Sequence, residues 1–174
     1  GGFYGGRDKE GDLIPNAEKG AILNARILWA FSCAARLFGR PEYKEGANRA
    51  FCYLRDFFYD KKNGGFYWSL DAKGAPVDTK KQAYAQGFCI YGLSEYYRLT
   101  QDPQAIDLAY ETYHLIETHF RDPNYGGYIE ALAADWTPMA DVRLSDKDEN
   151  TPKSMNTHLH IIEPYANLYR AKPS

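Results

Sequence analysis

The stretch Gly64-Gly65-Phe66-Tyr67 decides the fold, because it is one of three copies. Gly1-Gly2-Phe3-Tyr4 precedes it by 63 residues, and Gly126-Gly127-Tyr128-Ile129 follows it by 62. Self-similarity at such a period marks supersecondary units that bury their apolar faces on one another. The 174 residues therefore divide into units 1–63, 64–125 and 126–174 of one domain. Each unit opens on its glycine pair and a polar-and-aromatic hairpin, and continues into helix.

In the first unit, Asn16 is the expected cap of a helix running to about Phe38, with Gly39 as its stop and Pro41 opening the next. From Ile27 to Phe38 that helix is apolar nearly all round, the mark of an inner helix buried on most faces. The second, from about Pro41 to Asp60, carries one apolar stripe (Ala47, Ala50, Phe51, Leu54, Phe57, Phe58), as an outer helix with a wet face does. Unit two repeats the pair. Its inner helix spans about Lys80 to Thr100, and Asp102-Pro103 starts an outer helix striped by Ala105, Ile106, Ala109, Tyr113, Ile116 and Phe120. Unit three offers an inner helix over about Met155 to Arg170. Alternating inner and outer helices joined by glycine-started hairpins describe an all-α (α/α) toroid. Just under three units make part of such a ring, with an open flank at each end. The alternative is a stand-alone helical domain.

Composition narrows the function classes. With 16% aromatic residues the chain is not disordered. A net charge of −2 gives no electrostatic pull toward nucleic acid or an anionic membrane. No apolar run is read as a membrane span, and nothing at the start reads as a signal peptide. Cys33, Cys52 and Cys89 sit in apolar helical patterns, where buried reduced thiols are expected; this fits a cytoplasmic protein. Their spacing suggests no metal site.

Aligning the inner helices by their ends, Arg36-Leu37-Phe38, Arg98-Leu99-Thr100 and Leu168-Tyr169-Arg170, picks out two equivalent positions. One holds Ile22, Tyr84 and Asn156; the other, four residues on, holds Arg26, Phe88 and His160. Positions four apart share a helix face, so an arginine, a tyrosine, an asparagine and a histidine converge at one level of the ring. Polar groups gathered in a mostly apolar concavity describe a small-molecule site. Structural alternatives stand beside each. Arg26 has a possible partner in Glu18, Tyr84 and His160 fit satisfied core residues, and Asn156 fits a helix cap. His158 aligns with Gln86 and Asn24 and reads as structural. His158 and His160 diverge by about 200° on a helix, so no metal is expected. Trp29 reads as core, while Trp68 and Trp136, in the hairpin regions at the pocket end, remain open as ligand-stacking candidates. No inner-helix acid is read at the pocket level, which argues against a glycoside hydrolase and its paired carboxylates.

Four stretches carry a family resemblance: Lys19-Gly20-Ala21-Ile22-Leu23-Asn24-Ala25-Arg26-Ile27-Leu28-Trp29, Lys81-Gln82-Ala83-Tyr84-Ala85-Gln86, Leu144-Ser145-Asp146-Lys147-Asp148, and Lys153-Ser154-Met155-Asn156-Thr157-His158-Leu159-His160. They resemble the N-acylglucosamine 2-epimerase superfamily, more narrowly its cellobiose 2-epimerase branch. That resemblance implies an (α/α)6 barrel about twice this length, of which the chain matches the N-terminal half less its first helix. It implies a cofactor-free isomerase that epimerises C2 of the reducing-end sugar of β-1,4-disaccharides through ring opening and an enediolate. Arg26 and His160 match catalytic-site positions of the family, and Tyr84 and Asn156 match substrate-binding ones. The substrate is then a disaccharide or monosaccharide. The partner is the C-terminal half of the barrel, to which the resemblance assigns the proton-exchanging histidines, so this chain alone is expected to be inactive. An aldose–ketose isomerase and a non-catalytic sugar-binding module are the competing readings. Pro164, where the family more usually has alanine, is expected to cost a helix hydrogen bond and to disturb His160.

Overall fold

Each inner helix but the last starts where a two-residue strand ends. The computed structural model describes residues 2–173, so Gly1, which opens the first glycine pair, and Ser174 lie outside the described residues. The order is β1 (Lys19–Gly20), α1 (Ala21–Phe38), α2 (Pro41–Tyr53), β2 (Ser69–Leu70), β3 (Lys81–Gln82), α3 (Ala83–Thr100), α4 (Pro103–Leu115), β4 (Ala131–Leu132) and α5 (Met155–Ala171). β1 pairs antiparallel with β2, Lys19 opposite Leu70, and β3 with β4, Lys81 opposite Leu132. The pairing also caps the helices. The first N–H of α1, on Ala21, donates to the Trp68 carbonyl, and that of α3, on Ala83, to the Glu130 carbonyl. A free helix N-terminus leaves such donors orphaned; here the next hairpin along the chain satisfies them. Asn16 is therefore not the cap. It is exposed in a turn, and Gly20 holds the cap position.

The other helix signals act as read. Gly39 ends α1 in the left-handed conformation at φ 65°, and Pro41 opens α2. The Asp102 side chain accepts from the Gln104 N–H at the start of α4. Single π-helical turns, Leu54–Phe58 and Ile116–Phe120, extend the two outer helices; the first stops two residues short of the expected Asp60 and the second ends at Phe120, the last residue of the expected stripe.

The inner helices α1, α3 and α5 pack side by side with α3 in the middle; α2 packs on α1, and α4 on α3. Burial follows position rather than hydropathy. The most enclosed helix is α3, which buries residues on every face from Ala83 to Tyr96. The more apolar α1 buries only part of its surface and exposes Leu23, Leu37 and Phe38. By length and composition α1 would qualify to cross a membrane, at a mean hydropathy of 1.3 over 18 residues. Its Ala, Leu and Ile residues outweigh Asn24, Arg26, Ser32 and Arg36, which corrects the reading that no run reaches that length; in this fold α1 is an inner-layer helix. The cysteine expectation is also corrected: Cys89 is buried, but Cys33 is half-buried and Cys52 exposed.

Close approach on α3 depends on two glycines. A Cβ on Gly92 would lie 2.7 Å from the Ala25 carbonyl oxygen, and one on Gly87 would lie 2.5 Å from the His160 carbonyl oxygen. The second contact also accommodates Pro164. Proline has no N–H to give the His160 carbonyl, yet α5 continues through it from Met155 to Ala171, with that oxygen packed against Gly87.

The joints between units repeat one design. Both glycines of the pair take positive φ, 78° and 70° at Gly64 and Gly65 and 69° and 72° at Gly126 and Gly127. Residues with a Cβ rarely adopt that conformation. Before the first pair, Asp60 accepts from the Lys62 and Asn63 N–H groups, from Asn63 Nδ2 and from Lys81 Nζ at 2.9 Å. Before the second, Asp122 accepts from the Asn124 and Tyr125 N–H groups and from Lys153 Nζ at 2.6 Å. The Asp60–Lys81 pair is closed to solvent, with the two side chains 1% and 0% exposed; the Asp122–Lys153 pair is partly open.

Burial alone would raise the Asp60 carboxyl, but its bonds from Lys81, Asn63 and two backbone N–H groups hold it well below the usual carboxylate range. The desolvation cost falls on Lys81, whose ammonium burial lowers despite the carboxylate beside it. The Lys153 ammonium, followed by the Tyr125 and Asn124 N–H groups, draws Asp122 down to about 2. Folded-state values below the unfolded value of roughly 3.9 stabilise the fold above that pH, and the gain is lost as pH falls through the folded value. Stability is therefore expected to hold near neutral pH and to fall below about pH 4. Asp60→Asn is expected to cost about 3–5 kcal/mol in urea unfolding at pH 7, because it strands a buried ammonium. It should also flatten the acid limb; an unchanged limb would show that the joint carries no such linkage.

Candidate active site

The two aligned positions prove to be the second and sixth residues of the inner helices α1, α3 and α5. Three of the six side chains meet around a fourth, Phe88. The Arg26 guanidinium lies over the Phe88 ring, 4.5 Å from Cζ to the centroid. Its Nη2 stands 3.5 Å from the Tyr84 hydroxyl, the outer limit of a hydrogen bond. The His160 ring meets Tyr84 edge-on at 4.7 Å and Phe88 at 5.1 Å. Ile22 packs against the core instead.

Charge at this cluster is uncompensated around Arg26. Glu18, its alternative partner, accepts from Ser69 Oγ at 2.8 Å. Among the described residues Arg26 has no carboxylate partner. A guanidinium is permanently charged and presents its N–H donors in a rigid fork. Held on an aromatic face, it is ready to meet a developing oxyanion.

Asn156 stands apart from this cluster. It is exposed and lines a hollow of about 250 Å³ with Glu130, Arg143, Asp148 and Ser154. Small-molecule pockets run to roughly 300–1,000 Å³, so this hollow by itself is too small to enclose such a ligand. Asn156 is not the cap of α5 either; the Ser154 side chain accepts from the Thr157 N–H in that role. The wall opposite is the long loop before α5, tied to the start of α3 by Gln82 Nε2, which donates to the Val142 and Arg143 carbonyls at 3.2 and 2.8 Å.

His158 is structural, with both ring nitrogens occupied. Nδ1 lies 2.6 Å from the Ser154 carbonyl and Nε2 accepts from the Tyr128 N–H at 3.0 Å. Its bonds run to the hairpin turn and to the cap of its own helix rather than to a neighbouring helix. One unit earlier Gln86 makes the same contact, with Oε1 accepting from the Phe66 N–H and Nε2 donating to the Phe66 carbonyl, both at 2.8 Å. Asn24, the third aligned residue, bonds only Gly20, and its Oδ1 has no partner among the described residues.

Sequence reasoning missed one group. Glu163 lies on α5 one turn beyond His160, with Oε2 2.9 Å from His160 Nδ1. The i,i+3 spacing on one helix face was the available signal, and it corrects the reading that no inner-helix acid stands at this level. The tryptophans divide. Trp29 stacks on Tyr91 at 5.4 Å, and Lys80 lies over Trp68. Trp136 is a joint residue, stacked on His119 at 4.5 Å and donating from Nε1 to the Asn63 carbonyl at 2.8 Å. Among the described residues no group of three or more His, Cys, Asp or Glu side chains is placed to hold a metal ion.

The family model of N-acylglucosamine 2-epimerase (GlcNAc 2-epimerase) matches residues 2–163. The cellobiose 2-epimerase of Bacteroides fragilis is 59% identical over 170 residues, covering 98% of this chain and 43% of that protein. That of Dictyoglomus turgidum is 42% identical over 168 residues, covering 97% and 42%. The solved structure of cellobiose 2-epimerase from Bacillus thermoamylovorans superposes with a TM-score of 0.95 at 40% identity, over all of this chain and 45% of that one. The fold is thus close to half of an (α/α)6 barrel. The chain spans less than half the length of the curated relatives it matches.

The His158 geometry makes a prediction that separates structure from chemistry. His158→Ala leaves the Tyr128 N–H without its partner, while the Ser154 carbonyl keeps the backbone N–H of residue 158, and it is expected to cost about 1–3 kcal/mol in urea unfolding. His158→Gln, which installs the side chain found at Gln86, should keep most of that stability. Equal losses from the two would contradict the assignment.

Proposed function

Because the chain belongs to the N-acylglucosamine 2-epimerase family, we propose that its protein interconverts the glucose and mannose configurations at C2 of the reducing-end sugar of β-1,4-disaccharides such as cellobiose. The observation that carries this reading is Arg26, a guanidinium seated on Phe88 with no carboxylate partner among the described residues. The cellobiose 2-epimerase names of its relatives support the choice of substrate.

The chemistry asks for such a group. Once the sugar ring opens, the C2 hydrogen lies next to the C1 aldehyde. A base takes that proton, the electron pair forms the C1–C2 double bond, and negative charge develops on O1. Return of a proton to the other face of C2 gives the epimer with no net redox change and no cofactor. Arg26 meets the charge on the enediolate oxygens, a fixed donor in place before the charge appears. Tyr84 orients the guanidinium and offers its hydroxyl to the sugar. His160 binds a sugar hydroxyl beside it, and Asn156 holds the substrate from the hollow at the start of α5. The groups that exchange the C2 proton are assigned to the remainder of the barrel, by family resemblance.

Proton NMR of cellobiose with the intact protein tests this. A mannose-type reducing end is the expected product, and the 174-residue chain alone is expected to form none. Arg26→Lys should lower kcat by about 10²–10³, the scale for removing one oxyanion donor, with a smaller change in KM. No product from cellobiose, lactose or mannobiose would overturn the reading. A ketose product would replace it with an aldose–ketose isomerase.

A further inference from the structure

The Glu163–His160 contact singles out one ring nitrogen. Glu163 follows His160 by one helical turn, and its Oε2 lies 2.9 Å from His160 Nδ1. An ionised carboxylate only accepts hydrogen bonds, so in neutral His160 the proton of this contact sits on Nδ1. The lone pair is then on Nε2, which has no protein partner among the described residues. His158, two residues earlier, shows the contrast: its Nε2 is already taken by the Tyr128 N–H.

The surroundings of His160 fix the ring as well as the proton. Tyr84 and Phe88 of α3 contact its faces and edge, and Arg26 of α1 lies across Phe88. Pro164 and Tyr91 line the same crevice as Phe88, His160 and Glu163. No other acid contacts the imidazole among the described residues.

We propose that Glu163 is a positioning residue. It accepts the Nδ1–H of His160, selects that tautomer, and thereby presents the Nε2 lone pair to a hydroxyl of the bound aldose. This rests on the sugar-site reading above. It adds a specificity element, because the site then favours a hydroxyl donor facing Nε2 and disfavours an analogue that has lost it. A site built to bond a hydroxyl discriminates against the analogue lacking it.

The test uses long-range ¹H–¹⁵N NMR of the intact protein with Glu163→Gln and Glu163→Ala, beside steady-state kinetics on cellobiose. The wild type should show His160 wholly as the Nδ1–H tautomer. Glu163→Gln, whose amide oxygen still accepts, should keep that tautomer. Glu163→Ala should give a mixture and lose roughly 10–100-fold in kcat/KM, the scale seen when the outer partner of a metal-bound histidine is removed. An Nε2–H tautomer in the wild type would overturn the proposal. So would a Glu163→Ala protein with an unchanged tautomer and unchanged kcat/KM. If the wild type turns over no sugar, the functional reading fails by itself, and the NMR experiment still decides the role of Glu163.

Discussion

The fold depends on how a helix can begin against the unit before it, and the Asp60–Lys81 pair supplies the constraint. Lys81 stands in the strand just before α3, and Asp60 lies just after the π-helical turn that ends the previous outer helix. An unpaired ammonium at this depth would be costly, and so would an unpaired carboxylate. Each is tolerated only where the other sits. The Gly64-Gly65 turn fits beneath the pair because both residues can adopt positive φ. Trp136 from the next hairpin closes over Gly65. The same arrangement returns at Asp122, Lys153 and Gly126-Gly127, which makes the joint a repeated part rather than a local accident.

That repetition places the chemistry. The joints fix the starts of α3 and α5, and the Trp68 carbonyl that of α1, so Arg26, Tyr84, Phe88 and His160 come together across the three helices. Phe88 occupies the middle position and separates a guanidinium from an imidazole. Gly87, its neighbour in sequence, lets α5 approach closely enough for His160 to reach Tyr84 and Phe88. Pro164 fits the same contact. The carbonyl that it deprives of a helix bond is the one packed on Gly87, and α5 runs on through the proline.

Much of this was legible in the residues. The glycine-pair period, Gly39 as a stop, Pro41 and Pro103 as openers and the Asp102 cap are local signals, and each acts locally. The misses have non-local causes. Asn16 looks like a cap, but α1 is capped by a carbonyl nearly fifty residues later in sequence, at Trp68. Gln101 takes the left-handed conformation at φ 58° that Gly39 takes one unit earlier, with no glycine to announce it. Exposure of the apolar α1 reflects which neighbours it has, information that hydropathy does not contain. The lysine–aspartate joints join residues 21 and 31 positions apart, so no window short enough to read as one helix or turn holds both partners. At the candidate site, alignment of the helices pointed to Arg26, Tyr84 and His160. It pointed to Asn156 as well, which the structure sets apart beside the long loop before α5, and Glu163 needed side-chain geometry.

On the proposed reading, the intact protein handles an open-chain sugar as its enediolate, with Arg26 meeting the charge. The most direct measurement is the fate of the C2 hydrogen when the intact protein turns over cellobiose in D₂O. Deuterium is expected at C2 of the mannose-type product, and in Arg26→Lys the labelled product should form more slowly by the same factor of about 10²–10³. Product formed with its C2 hydrogen fully retained would contradict it.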